Sequence, residues 1–177
     1  INRETNGRMQ IQHPFQVVQY WNLVRDPTTY ADTNSVSVYP KQGPNETLRQ
    51  RVLSILGISS LDVPILVSNL GVEKASNDYG FTFTESPDIR PIVTQAQFLQ
   101  KDGRYSFDPK KNTLVPDKQG VQILTPNEQS GLRSAFRDGD DYLGFWCDDL
   151  LLSDWDGRVA FFYNPQGFEK NSSKKPR

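Results

Sequence analysis

Hydrophobic positions change their spacing several times along this chain, and each change marks an element. Apolar residues at 14, 17, 18 and 21 fit one face of a helix, with Pro14 tolerated in its first turn. Val17-Val18 and Tyr20-Trp21 are also strand formers, so a strand is the competing reading there. Asp26-Pro27 ends that element. Residues 35–39 alternate Val36 and Val38 against Ser35 and Ser37, the pattern of a half-exposed strand. Lys41 to Pro44 reads as a turn. Asn45 is placed to cap a helix over residues 46–56, where Leu48, Val52, Ile55 and Leu56 form an apolar stripe. Gly57 is suited to end it in a left-handed conformation.

The middle of the chain reads as strands. Residues 62–70 predict a buried strand, 79–84 place Tyr79, Phe81 and Phe83 on one face, and 92–99 predict another strand. Residues 101–116 are polar and turn-rich, with Asp102-Gly103 as a hairpin signal. A short strand is expected at 121–124. Thr125-Pro126-Asn127-Glu128 has the form of a helix start, with Thr125 as cap and Glu128 as its reciprocal partner, and predicts a helix to about Arg137.

The strongest local pattern is the segment 142–164. Asp156-Gly157 is the residue pair of a type I′ turn, which needs positive φ at both central positions. A two-residue turn there sets Trp155 opposite Arg158, Leu152 opposite Phe161 and Leu150 opposite Tyr163, while Leu151 meets Phe162 on the other side. Both faces of this expected hairpin are apolar, so both should be covered.

Together these elements predict an α+β fold: a mainly antiparallel sheet of about five to seven strands, packed against two or three helices. The expected organisation is a flexible arm over 1–12, one globular domain over 13–168 and a disordered basic tail over 169–177. The 177 residues suit one domain, and 36% hydrophobic content with ten Phe, seven Tyr and three Trp can fill a core. Twelve Gly and twelve Pro argue against a plain helical bundle.

Charge and cysteine content narrow the function classes. A net charge of −1 supplies no general attraction to nucleic acid, and no apolar run nears the roughly 20 residues that span a bilayer. Cys147 is the only cysteine, which excludes an intrachain disulfide and any multi-cysteine zinc site. A single thiol leans toward a reducing, cytoplasmic compartment, and a chain starting at Ile1 leaves room for a removed targeting segment. Asp148 and Asp149 follow Cys147 and disfavour its thiolate, so it reads as a structural thiol.

Three features could carry chemistry. Seven aspartates lie within the nineteen residues 138–156. Clustered carboxylates are what hard cations need, so Asp138, Asp140, Asp141, Asp154 and Asp156 are the candidate ligands for Ca²⁺, Mg²⁺ or Mn²⁺. The competing reading is that they cap turns and solubilise strand ends. His13, the only histidine, would have to serve any hydrolytic triad, but it adjoins Pro14 at a helix start and no G-x-S-x-G elbow supplies a nucleophile. Arg104, Tyr105 and Phe107, near Lys110-Lys111, make a slight basic-aromatic mix that is too small to argue for nucleic acid and fits an exposed loop. Phosphate-cradling glycine motifs are absent.

The leading expectation is a non-catalytic binding or interaction module whose partner the sequence leaves open, a protein being the class it suggests, with Trp155 and Arg158 beside the turn as the contact residues. A divalent cation is the one cofactor the residues suggest. The alternatives are a metal-binding protein or metal-dependent hydrolase built on region 138–156, and a small-molecule carrier with an apolar pocket.

Overall fold

The run Ile65-Leu66-Val67 is apolar at three consecutive positions, so a strand there has two greasy faces and needs cover on both. The computed structural model, which describes residues 9–11, 13–19, 21–24, 30–85, 90–138, 142–147, 158–159 and 161–163, meets that need with one long sheet. In chain order the elements are β1 (Met9–Ile11), α1 (Pro14–Gln19), α2 (Trp21–Val24), β2 (Tyr30–Val38), α3 (Glu46–Leu56), β3 (Ile65–Ser68), β4 (Gly71–Lys74), β5 (Phe81–Thr84) and β6 (Ile92–Gln95). A 3-10 turn, Gln97–Gln100, leads to β7 (Gly103–Asp108), β8 (Thr113–Pro116), β9 (Val121–Leu124), β10 (Leu132–Asp138), β11 (Tyr142–Cys147), β12 (Arg158–Val159) and β13 (Phe161–Tyr163).

Eight strands pair in the order β6-β3-β2-β10-β11-β9-β7-β8, and β12 adds to β2. Most neighbours are antiparallel; β11 with β9 and β12 with β2 are parallel. Laid flat, six strand spacings separate β3 from β8, roughly 29 Å. Yet Leu66 of β3 and Leu114 of β8 belong to one buried cluster, so the sheet curls strongly into a nearly closed, barrel-like form. The 3-10 turn carries Phe98 and Leu99 into that cluster and lies against the edge strand β8. Smaller two-stranded pairings join β4 to β5 and β1 to β13.

Each face has its own core. On one, α3 lays Leu48, Val52 and Leu53 against Val36, Val38, Ile65, Val67 and Leu132, with Phe83 of β5 alongside. On the other, α1 packs Phe15, Val17 and Val18 against Leu66, Ala135, Leu143 and Phe145. This second core is rich in rings. Phe98 lies 5.9 Å from Phe15, 6.2 Å from Tyr105 and 5.8 Å from Phe145, all at steep angles that set ring edge against ring face.

The fold is thus β-rich, which corrects the α+β expectation of five to seven strands packed on helices. The largest error was the helix at 125–137. Thr125 does not cap; its N–H and hydroxyl both donate to Asp102, at 2.7 and 2.8 Å. Gly131 then turns the chain with φ +75°, and Leu132 begins a central strand between β2 and β11. A local capping pattern was overridden by long-range strand pairing. Asp102-Gly103 likewise opens β7 instead of turning a hairpin, and the turn falls between β7 and β8. The strand expected over 92–99 stops at Gln95. Ser35 and Ser37 are not half-exposed but buried, with Ser35 sharing a 2.6 Å hydroxyl contact with Ser68 and Ser37 donating to the Arg133 carbonyl at 3.4 Å.

Other expectations hold. Pro14–Gln19 is a helix, Glu46–Leu56 is a helix ended by Gly57 at φ +66°, and the buried strand expected over 62–70 is present in its centre, Ile65–Ser68. In the segment 142–164, β11 has β10 on one side and β9 on the other, while β12 pairs with β2 and β13 with β1. Leu150, Leu151, Leu152, Trp155 and the Asp156-Gly157 turn lie outside the described residues. So do residues 169–177, and Met9–Ile11, within the stretch read as an arm, forms a strand. Among the described residues, no helix is long and apolar enough to cross a membrane.

Candidate ligand groove

The β7–β8–β9 meander alternates in the ordinary way. Tyr105, Val121 and Ile123 face the ring-rich core, and their neighbours Arg104, Ser106 and Gln122 occupy the opposite parity. Arg104 and Gln122 are direct cross-strand partners. The turn from β8 into β9 folds down onto β7: Asp117 N–H donates to the Arg104 carbonyl and Gly120 N–H to the Asp117 carbonyl, each at 2.9 Å. Gly120 makes the approach possible, because a Cβ there would fall 2.2 Å from the Tyr105 carbonyl oxygen.

This close turn, the polar side of β7–β9 and the α1–α2 pair border an open groove of about 440 Å³. Gln19, Trp21 and Asn22 line it from the helices, Arg104 and Ser106 from β7, and Gln119 and Gln122 from the turn and β9. The volume lies in the roughly 300–1,000 Å³ span of ligand clefts. Arg104 Nη1 donates to the Gly120 carbonyl at 3.0 Å, which ties the guanidinium to the turn. Ser106 donates to Asp117 Oδ2 at 2.6 Å, and Gln119 N–H donates to Oδ1 at 3.0 Å. The Ser106 hydroxyl first, and the Gln119 N–H second, hold the Asp117 carboxyl below its ordinary range, so it is a carboxylate at neutral pH.

His13 fixes the helical side of the groove. Its Nδ1 accepts the Phe15 N–H at 3.1 Å, and the Gln16 side chain accepts the His13 N–H at 3.0 Å, a reciprocal cap of the kind Ser/Thr and Glu usually form. Burial depresses its pKa to about 4, so the imidazole stays neutral and its Nδ1 keeps the lone pair the cap uses. The expected helix-start role of His13 is what the structure shows, and the residue is occupied there.

The aspartates expected to hold a cation are only partly in view. Asp138 accepts the Tyr142 hydroxyl at 2.5 Å across the β10–β11 pair. Asp140, Asp141, Asp154 and Asp156 lie outside the described residues, as does Trp155. Among the described residues, no three His, Cys, Asp or Glu side chains gather as a metal site. Arg158 lies in β12 opposite Ala31. Two buried cations hold loops: Arg49 donates to the Tyr39 and Pro40 carbonyls at 2.9 and 2.8 Å, and Arg133 to the Ser130 carbonyl at 3.1 Å.

Of the groove's polar residues, Arg104 alone stands out in the sequence, where it reads as part of an exposed loop; Trp21 stands out there as an apolar helix position. Gln19, Asn22, Ser106, Gln119 and Gln122 were missed. Their signal is faint: polar positions alternating with Tyr105, Phe107, Val121 and Ile123, next to an Asp-Lys-Gln-Gly turn. Comparison with protein families, curated proteins and solved structures found no match.

Proposed function

We propose that this protein is a binding module whose ligand is a small molecule held in the groove between α1–α2 and β7–β9. The observation that carries the reading is the groove itself: a cleft of ligand size where side chains from a helix pair, two strands and a turn converge, several with polar groups turned to one space. The turn is held by backbone hydrogen bonds and the helix by its cap, so the walls are set before a ligand arrives, which lowers the ordering cost of binding. This moves the small-molecule reading from an apolar interior to a polar rim. The apolar face of the sheet is filled with its own rings.

The test is a fragment screen on the uniformly ¹⁵N-labelled chain, read by amide chemical shifts. Saturable shifts centred on Gln19, Asn22, Arg104 and residues 119–122 are expected. Hits that gather elsewhere and leave these amides still would end the reading.

A further inference from the structure

We infer, resting on the groove as the binding site, that its ligand is a neutral, hydroxyl-rich molecule of the carbohydrate class, of mono- to disaccharide size. Four carboxamides line the groove: Gln19, Asn22, Gln119 and Gln122. Each offers N–H donors and a carbonyl acceptor on one planar group. That duality matches hydroxyl groups, which also donate and accept. A phosphate or carboxylate only accepts, and would leave the carboxamide oxygens facing like partners; an ammonium only donates, and would leave their N–H groups without acceptors.

Charge points the same way. Among the described residues, Arg104 is the ionisable group that lines the groove, and Asp117, held ionised by Ser106, sits one hydrogen bond behind the lining. The two charges offset one another, so a dianion gains attraction from Arg104 and meets repulsion from Asp117. The guanidinium keeps N–H groups beyond the one it gives to Gly120, and these suit a ring or hydroxyl oxygen. Trp21 contributes an aromatic surface, half-buried against the ring-rich core, of the kind on which the C–H face of a pyranose packs. A long acyl chain finds no such match, because the lining is mainly polar.

The experiment titrates the full ¹⁵N-labelled chain separately with maltose, cellobiose and lactose, with inorganic phosphate and citrate, and with laurate. At least one disaccharide should shift the groove amides saturably at millimolar concentration, while the anions and laurate should not. The double variant Gln19→Ala/Asn22→Ala changes exposed side chains only, and should raise the saccharide Kd at least about tenfold, worth about 1.4 kcal/mol, with unchanged melting temperature. Groove shifts from phosphate, citrate or laurate in place of the saccharides would overturn the ligand class and leave the groove as a binding site. Saccharide binding that the double variant does not weaken would overturn the assignment to these carboxamides. Silence of the groove toward every probe and every fragment would overturn both readings.

Discussion

Helices α1 and α3 cover opposite faces of the same sheet, and they begin in different ways. α3 starts at Asn45, which sits at φ +59° and makes no side-chain cap; its amide instead reaches 87 residues along the chain to the Leu132 carbonyl, at 2.9 Å. Arg49, one turn in, holds the Tyr39 and Pro40 carbonyls. α1 starts with a local device, the His13–Gln16 reciprocal cap, and nothing beyond four residues is needed to form it. The beginning of α3 is therefore hydrogen-bonded to the sheet, while the hydrogen bonds that cap α1 are local and depend on the protonation of one imidazole. The helix next to the groove is the one whose N-terminus can respond to solution conditions.

The sharpest way to test this contrast is to hollow each core in turn. Phe98→Ala removes a ring packed on Phe15, Tyr105 and Phe145, and should cost about 3–5 kcal/mol. Leu48→Ala opens a fully buried site under α3 and should cost about 2–5 kcal/mol. Denaturant unfolding measures both. Amide shifts around residues 14–22 should follow from Phe98→Ala alone; equal disturbance by Leu48→Ala would mean that the two faces are not separable.

A pH series probes the cap. The folded pKa of His13 is lowered, so above about 6.5 neither state binds the proton and stability is full. As pH falls from about 6.5 to about 4 the unfolded chain takes up the proton first, and stability drops by up to about 3 kcal/mol before levelling off. His13→Asn keeps a good cap without a titrating group. It should flatten this part of the melting-temperature profile; an unchanged profile would show that His13 is not its source.

The smallest effect is expected from Asn45→Gly at the start of α3. Asn45→Gly keeps the left-handed backbone and leaves the Leu132 carbonyl without the side-chain donor, for about 1–3 kcal/mol. Asn45→Ala should cost about 1–2 kcal/mol more than the glycine variant, because it keeps a Cβ at positive φ that glycine lacks. If the two variants melt together, the backbone conformation is not what Asn45 supplies.

The residues of α1, α3 and β3 show how far local pattern reaches. A stripe at helical spacing, a Pro at the first turn, a Gly just past the last and an unbroken apolar run all specify structure through near neighbours, and those elements were legible. The same logic misread 125–137, where a convincing cap motif precedes a strand. Strand pairing there draws on β2, about a hundred residues earlier, and such pairing energy leaves no trace in a short window.

By itself the sequence determined where apolar runs and turns fall, that Ile65–Ser68 must be covered on both faces, and that His13 begins a helix. Only the tertiary structure decided that the sheet curls, that Thr125 is taken by Asp102, and that Gln19, Asn22, Arg104, Gln119 and Gln122 share one groove. The reason is physical. Hydrophobic spacing reports which face of one element is buried, but a binding site is made where separate elements meet, and polar groups 15 to 100 residues apart carry no mutual signal until the chain has closed on itself.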